Sequence, residues 1–453
     1  MKITARQIAN SSNHEFLTTQ LCLEGVERTF FLDINFSEFL DRSRKIETLA
    51  LDFLFIAAVV YASDKLVSRQ TAEDHWGRTI ELSVPLQNPE PWQVARESLE
   101  DAVSFLTGDS WYFEFTQAGH RFQAVRTNRR RRPRGYPAAP VVTLLSGGLD
   151  SFIGAIDALA GNDRQRLLFV SHYDGDLSGP GSDQQNLRIL LDSKFPGRIS
   201  HVQVRVGVNK DKEEENELGK YKFESSFRSR SLIFLGLGLY AARMIGPDTP
   251  VAIPENGPIA LNLPLTSSRR GACSTRTVHP NFLSLLRKAL GEAGIENPIS
   301  NPYTLKTKGE MVKECAARDV LLAGSAKTTS CGKSGRKTYW EVKVGAKNCG
   351  TCVPCLFRRA SLHAIGADDE TYGNNVFTAP PQKYPDFHAL LGVIRSNPTT
   401  KEIARQLIAN GRLPISDLDN YAAVVRRMLD EVTVWIREKG SKEARQLGGI
   451  RNA

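Results

Sequence analysis

The chain lacks any apolar stretch long enough to cross a membrane. Its two longest apolar runs, Phe53 to Ala62 and Leu232 to Ala242, are both shorter than the roughly 20 residues that a membrane-spanning helix needs. The first residues, Met1 to Gln7, are followed by polar residues and not by the apolar segment of a secretory signal. We therefore expect no membrane contact and a cytoplasmic location.

Cysteine is scarce and unevenly distributed. The 453 residues include seven cysteines, and four of these lie in one short window, at Cys331, Cys349, Cys352 and Cys355. Clustering of this kind in a reducing compartment favours a metal site over disulfide bonds. Small buried side chains or unpaired thiols are the interpretation for the other three, Cys22, Cys273 and Cys315.

The overall composition matches that of ordinary folded proteins. Hydrophobic residues make up 41% and charged residues 24% of the chain, and the length allows two to four domains of roughly 100 to 200 residues. The excess of 59 Lys and Arg over 50 Asp and Glu gives a net charge of +9, which is compatible with a nucleic-acid partner. We find no internal repeat.

Changes in local composition predict three regions. Residues 1–135 have strand signals at both ends and helices between them, which predicts an α+β domain, available for binding a partner, that ends in an arginine-rich linker. Residues 136–370 alternate strands with helices, which predicts an α/β fold with a doubly wound, Rossmann-like parallel sheet. Residues 371–453 predict a helical extension.

The predicted elements follow from hydrophobic periodicity. In the first region, strands are expected at 16–24, 29–34, 79–84, 111–115 and 120–125, and helices at 49–62 and 92–106. In the second, strands are expected at 141–145, 167–171, 201–206 and 249–253, and helices at 151–159 and 227–244. The charged segments Arg126 to Pro137 and Lys210 to Glu217 are interpreted as a solvated linker and a surface loop.

The strongest chemical signal is the segment Leu144 to Phe152, which reads Leu-Leu-Ser-Gly-Gly-Leu-Asp-Ser-Phe. Paired glycines between a strand and a helix allow several backbone N–H groups to point at one anion, and the helix N-terminus adds partial positive charge. An aspartate, Asp150, inside such a phosphate cradle suggests an intervening Mg²⁺. Neither the Gly-Lys-Ser/Thr ending of a Walker loop nor a G-x-G-x-x-G pattern is present there.

The four clustered cysteines predict a metal centre. Cys349, Cys352 and Cys355 are spaced three residues apart, so their sulfurs can meet on one tight turn, and Cys331 can close a tetrahedron. A closed four-sulfur shell favours a structural zinc over a catalytic one. An iron–sulfur centre remains the competing assignment, because it also uses four thiolates.

The glycine-rich segment resembles the Ser-Gly-Gly-x-Asp-Ser signature of the PP-loop ATP pyrophosphatases. That family has a doubly wound α/β fold and cleaves ATP between the α and β phosphates. The resemblance implies that ATP pyrophosphate and Mg²⁺ bind at Ser146, Gly147, Gly148, Leu149, Asp150 and Ser151.

Two further segments resemble the 7-cyano-7-deazaguanine synthase (QueC-like) branch of the PP-loop family. They are Thr307 to Val312, which contains Lys308, and the zinc-binding pattern Cys331 with Cys349 to Arg358. Together with the loop, the resemblance covers about residues 140 to 366. It implies that the carboxylate of 7-carboxy-7-deazaguanine is adenylated by ATP and that an amine then attacks the acyl group. With ammonia, the family forms an amide and then a nitrile.

The resemblance also implies roles for residues outside the loop. Lys308 is the first candidate for neutralising phosphate charge, and Arg230 is the second. Glu255, which follows a predicted strand, is a candidate for reading the N–H edge of a guanine-like base. On the substrate side the sequence departs from the family's Gly-Tyr-Pro-Asp-Cys pattern, where Cys273 to Pro280 stands instead; Arg276 in this segment is a candidate substrate-binding residue.

The chain is longer than a minimal synthase at both ends. It resembles the long synthase-like proteins of bacterial antiphage operons, for which the implied acceptor is an amine of an operon-encoded partner protein. Two alternatives remain open. One is a PP-loop enzyme that modifies tRNA by sulfur transfer or amidation, and the other is a non-catalytic scaffold of a defence complex that binds ATP and zinc.

Overall fold

The computed structural model describes residues 1–7, 15–120, 122, 132–161, 165–175, 179–210, 221–265 and 276–451. Ten strands in this part of the chain form one sheet with the order β10-β9-β6-β7-β8-β3-β2-β1-β4-β5. Their bounds are β1 (Lys2–Gln7), β2 (Phe16–Leu23), β3 (Phe30–Asn35), β4 (Thr79–Leu86), β5 (Ser110–Gln117), β6 (Val142–Leu144), β7 (Leu167–Tyr173), β8 (Ile199–Lys210), β9 (Val251–Ala252) and β10 (Ile299–Ser300).

The helices of the described residues are distributed over the whole chain. They are α1 (Ser37–Leu40), α2 (Thr48–Leu66), α3 (Pro89–Val94), α4 (Arg96–Thr107), α5 (Leu149–Ala160), α6 (Pro180–Lys194), α7 (Arg230–Ile245), α8 (Gly257–Ala260), α9 (Pro280–Glu292), α10 (Lys308–Glu314), α11 (Arg318–Gly324), α12 (Val353–His363), α13 (Pro385–Ser396), α14 (Thr400–Ile408), α15 (Leu418–Lys439) and α16 (Lys442–Leu447). Within these residues, every helix is too short or too polar to span a lipid bilayer.

The predicted parallel sheet is present on one side of the molecule. All pairings among β10, β9, β6, β7 and β8 are parallel. Every residue of β6 and the first six residues of β7 are buried, as expected for strands that are covered on both faces. This part confirms the predicted α/β class. The sheet as a whole is mixed, because β8 pairs antiparallel with β3.

The first region of the chain extends the same sheet instead of forming a separate one. Residues 30–34 of β3 pair with residues 206–210 of β8, so the predicted hairpin of β2 and β3 is attached to the edge of the parallel strands. Buried and less buried residues alternate in β2 and β5, which indicates that one face of this half is covered and the other is open. The composition change near residue 135 therefore does not coincide with a break in the sheet.

The two halves also share one core, which is centred on the contact between α2 and α7. Helix α2 is buried continuously from Ala50 to Leu66, so it needs apolar neighbours all around. Gly236 of α7 provides the close approach: a Cβ at this position would lie 3.1 Å from Leu54 Cα and 3.2 Å from Ala57 Cβ. A single apolar cluster accordingly runs from β1 to β10.

The C-terminal region is helical, as expected. Helices α12 to α16 enclose a second apolar cluster that includes Phe387, Val425 and Trp435. Thr399 caps α14 and forms a reciprocal capping box with Glu402.

Some predicted segments differ from the structure or lie outside its described part. Strand β1 was not expected, and residues 120 and 122 belong to no strand, although a strand was predicted at 120–125. Residues 123–131, which hold most of the arginine run, and residues 211–220, which hold most of the predicted charged loop, lie outside the described residues.

We predict that Gly236→Leu destabilises the protein by about 2 kcal/mol, because the new side chain would overpack the α2–α7 contact. Gly392→Leu is the matched control. Gly392 also lies within a helix, but nothing approaches its Cβ position within 4 Å. Chemical denaturation measures both variants, and equal stability of the two would contradict the proposed tight contact.

Candidate functional site

The glycine-rich loop joins β6 to α5 at the carboxyl end of the parallel strands, where α/β proteins bind ligands. Gly147 has a φ of +93°, which favours glycine, and Gly148 is the N-cap of α5. The Ser151 hydroxyl donates to Gly148 O (3.0 Å) and accepts from the Ser146 N–H (3.2 Å) and hydroxyl (3.0 Å). The loop is thus held in shape by its own two serines.

Asp150, in the first turn of α5, is buried among polar groups from two other segments. Its Oδ1 contacts the Lys308 ammonium at the start of α10. Its Oδ2 accepts from the Asn256 backbone N–H (3.1 Å) and side-chain amide (2.7 Å). The same amide lies 3.4 Å from Glu255 Oε1, so two carboxyl groups meet at this point.

The two carboxyl groups differ strongly in acidity. Burial raises the pKa of Asp150, but the Lys308 ammonium and hydrogen bonds from Glu255, Lys308 and Asn256 outweigh burial and hold the pKa at about 2. Burial, followed by repulsion from Asp150, raises the pKa of Glu255 well above its usual value. Asp150 is therefore a carboxylate, whereas Glu255 favours the protonated form that can donate a hydrogen bond to it.

Residues 328–330, which we call the strap, cross over the loop. The Thr329 N–H donates to Gly147 O (3.0 Å), and the Leu149 N–H donates to the Ser330 hydroxyl (3.2 Å). Arg358 of α12 is fully buried and donates to Thr328 Oγ1 (2.7 Å), to Ser330 Oγ (3.3 Å) and to Ser325 O (2.7 Å). The strap leads directly into Cys331 and is fixed at both of its ends.

Helix α6 supports the opposite side of the loop. Gln184 donates to Ser146 O (3.2 Å) and to His172 O (2.8 Å). Asp183 accepts from the Thr329 hydroxyl (2.7 Å) and from the Lys347 ammonium (2.5 Å). The loop is therefore bounded by α6, by the strap and by the Asp150 group.

The four cysteines come together as their spacing predicts, in a cluster that could hold a metal ion. Their Sγ atoms all lie within 4.8 Å of one another, with 3.3 Å between Cys352 and Cys355 and 3.7 Å between Cys349 and Cys355. Backbone N–H groups point at two of the sulfurs: those of Lys333 and Cys349 at Cys331, and those of Thr351 and Cys352 at Cys349. Such donors stabilise thiolates.

This donor set fits one zinc ion. Zn–S bonds of about 2.3 Å in a tetrahedron require sulfurs about 3.8 Å apart, which matches the observed spacing. A four-iron cluster needs space for several iron and sulfide ions between its thiolates. Four sulfurs that all lie within 4.8 Å of one another leave room for only one ion. The four cysteines could thus hold zinc in a closed shell.

Some of the other predicted site residues lie beside the loop, and some do not. Lys308 and Glu255 join Asp150 and the loop, as described above. Arg230 lies at the start of α7, where burial lowers its pKa, and its electrostatic neighbours are Tyr61 and Asp174. No contact of Arg230 with Asp150 is present in the described residues.

Arg276 lies away from the loop. Its guanidinium donates to Phe105 O (2.7 Å) and to Asn410 Oδ1 (3.5 Å), and it stacks over the Phe105 ring at 4.6 Å. Its hydrogen bonds in the described part of the chain thus join α4 to the C-terminal region. The predicted substrate-binding role receives no support from these contacts.

Sequence reasoning gave no role to several residues that the structure brings to the site, namely Asn256, Gln184, Asp183, Ser330 and Arg358. Arg358 stands in the quoted cysteine pattern, and Asn256 precedes a glycine and a proline as a helix cap would. These two sequence features could have pointed to Arg358 and Asn256. Gln184 and Ser330 are single polar residues with no distinctive spacing.

Two comparisons, one with protein-family models and one with curated proteins, bear on the family of this chain. No model of a known protein family matches it. A search of curated proteins also gives no match. The resemblance to the PP-loop enzymes therefore depends on the motifs quoted above.

We predict that Cys352→Ser lowers both the zinc content and the melting temperature, because it removes one of four ligands from a closed shell. Metal analysis of purified protein should give about one zinc ion per wild-type chain. Cys22→Ser is the control, since Cys22 lies on β2 outside the cluster. An iron chromophore in the wild type, or unchanged zinc in the Cys352 variant, would contradict the assignment.

A second prediction concerns Glu255. Because its pKa is raised in the folded state, the folded protein binds more protons than the unfolded chain as pH rises above the usual glutamate value, so stability falls with rising pH. Each pH unit in that window removes up to about 1.4 kcal/mol. Glu255→Gln keeps a neutral amide donor beside Asp150 and should lose this dependence.

Melting temperatures measured across the pH range for both proteins test the Glu255 prediction. The difference between the curves isolates Glu255, because the other titrating groups are common to both. Parallel curves would mean that folding leaves the pKa of Glu255 unchanged, and this would contradict the prediction.

Proposed function

We propose that the protein is an ATP-dependent ligase of the QueC-like type, which releases AMP and pyrophosphate. Its carboxylate substrate would be a 7-deazaguanine acid such as 7-carboxy-7-deazaguanine. The acyl group would pass to an amine, either of a partner protein in antiphage defence or of ammonia. With ammonia the product would be an amide, and a second ATP would activate its oxygen as a leaving group and so dehydrate it to 7-cyano-7-deazaguanine.

The observation that carries this proposal is the placement of the Ser146 to Ser151 loop. It lies at the carboxyl end of β6 in the middle of five parallel strands, and α5 begins within it. A helix N-terminus and a left-handed glycine next to it are the elements of a phosphate cradle. Lys308 adds a buried cation from α10, as charge neutralisation on a leaving pyrophosphate requires.

The proposed chemistry balances without a redox partner. A carboxylate oxygen of the substrate attacks the α phosphorus of ATP, the bond to the β-phosphate oxygen breaks, and pyrophosphate leaves. The amine then attacks the acyl carbon, the bond to AMP breaks, and the amine loses a proton. The chain contributes positioning and charge stabilisation to both steps.

Mg²⁺ in nucleotide sites is usually bound by one or two protein carboxylates together with the substrate phosphates. This site could bind Mg²⁺ only in that way. Asp150, the ionised member of the pair, would supply the protein oxygens. When bound, Mg²⁺ would neutralise phosphate charge. Lys308 already neutralises Asp150, so the carboxylate is compatible with a neighbouring phosphate even before the cation binds.

Glu255 and Asn256 are the best placed residues for contact with the acid substrate. Both follow β9, next to the strand that carries the loop, and both reach the Asp150 group. The Asn256 amide both donates and accepts, which suits an anionic carboxylate on a guanine-like ring. Glu255 donates its proton to Asp150, and its unprotonated oxygen can accept from a ring N–H. Arg276 is not needed for this placement.

We predict that Asp150→Asn lowers the rate of AMP and pyrophosphate formation at least about 100-fold, because it removes the charge that balances Lys308 and the cation. The assay contains ATP, Mg²⁺ and 7-carboxy-7-deazaguanine, with ammonia or an operon-encoded protein as the amine in separate reactions. Asp430→Asn, an exposed carboxylate on α15, is the control.

Ser151→Ala is the second test variant, for the case that Asp150→Asn does not fold. It removes only a hydroxyl from the loop. It should fold and show a reduced kcat/KM for ATP. Formation of ADP, or undiminished AMP formation by folded Asp150→Asn, would refute the proposed activity. The more productive amine would identify the acceptor.

A further inference from the structure

A cavity lies at the opposite end of the parallel strands from the loop. It has a volume of about 720 Å³ and is formed by the starts of β7 and β8, by α6, by α1 and by residues 134–137. This volume lies within the range of roughly 300 to 1,000 Å³ that is typical of small-molecule sites. The proposed activity makes no use of it.

The cavity is lined by four arginines from four different segments, Arg42, Arg134, Arg166 and Arg188. The lining also contains two carboxylates, Glu38 and Asp192, so its formal charge is 4 − 2 = +2. Glu38 is already paired with Arg42 at 3.1 Å. Among the described residues, Arg134, Arg166 and Arg188 form no ion pair, which leaves three guanidinium groups available to an anion.

Arg42 and its neighbours form a preorganised wall. The Arg42 guanidinium is buried and donates to Ser200 Oγ (3.2 Å) and His201 O (2.8 Å). Two buried polar groups of the lining have no hydrogen-bond partner in the described part of the protein: Arg42 Nε and the Tyr136 hydroxyl. A ligand with acceptor oxygens would satisfy groups of this kind.

His201 in the lining adds no charge of its own. The Ser171 hydroxyl donates to Leu145 O (2.6 Å), so the His201 Nε2–H must donate to Ser171 Oγ (2.8 Å). Burial, together with the charges of Arg188 and Arg42, lowers the pKa of His201 to about 3. The arginines alone therefore provide the positive potential of the cavity at neutral pH.

We propose that this cavity binds a small phosphorylated molecule of about mononucleotide size, through Arg134, Arg166 and Arg188. Guanidinium groups match phosphate oxygens in geometry and charge. The arginines converge on one concave space, whereas a nucleic-acid strand would need cations arranged along a track. Tyr136 and Pro137 give the lining an apolar surface that a base or similar ring can contact.

Calorimetric titration with uridine 5′-monophosphate, uridine and inorganic phosphate tests this proposal. We expect the nucleotide to bind with a 1:1 stoichiometry and uridine to bind at least about tenfold more weakly, because it lacks the charged group. The double variant Arg166→Gln/Arg188→Gln should weaken nucleotide binding at least about tenfold. Ser146→Ala should leave it unchanged, which separates this cavity from the loop.

The matched control is Arg405→Gln/Arg437→Gln, which removes the same charge from exposed positions on α14 and α15. Arg134→Gln serves as the second variant if the first double variant fails to fold, because the Arg134 side chain is exposed and donates no hydrogen bond in the described residues. Binding that is unchanged in the cavity variants, or equally weakened in the control, would overturn the proposal. Tighter binding of a 12-nucleotide oligouridylate than of the mononucleotide would replace the small ligand with a nucleic-acid strand.

Discussion

The buried charge of Asp150 is the constraint on which the arrangement of the loop depends. A carboxylate at this depth is stable only if cations and hydrogen-bond donors replace water. Lys308 comes from α10, and Asn256 comes from the segment after β9. Removing one partner of a buried ion pair typically costs about 3 to 5 kcal/mol. The charge therefore fixes three parts of the chain in one relative position, with Asn256 106 residues and Lys308 158 residues away from Asp150 in sequence.

The cysteine cluster has a similar effect on the other side of the loop. Cys331 directly follows Ser330, whose hydroxyl accepts from the Leu149 N–H, so a metal held by the cysteines also holds the strap over the loop. Arg358 links the helix that follows Cys355 to the same strap. A structural metal at this position would therefore act on the loop indirectly, through the position of the strap.

The local features of this site were predictable from the sequence, and the long-range ones were not. Glycine spacing and cysteine spacing are short patterns, so they predicted the turn between β6 and α5 and the cluster of four cysteines at the correct residues. The pairing of β3 with β8 joins residues about 175 apart, and no composition signal reports such a pairing. The arginine run suggested a domain boundary, because charge and proline content change there. However, strands that precede the run and strands that follow it belong to the same sheet.

The loop and the arginine cavity are joined by a stiff set of hydrogen bonds. Gln203, which lines the cavity, donates to Gln184 Oε1 (2.9 Å), and Gln184 in turn donates to Ser146 O and His172 O. Rotating the Gln184 amide would break all three bonds, so this junction has one favoured arrangement. Coupling between distant sites requires an element with two arrangements. The junction therefore favours a loop that is preorganised in one shape, and it argues against conformational coupling between the loop and the cavity.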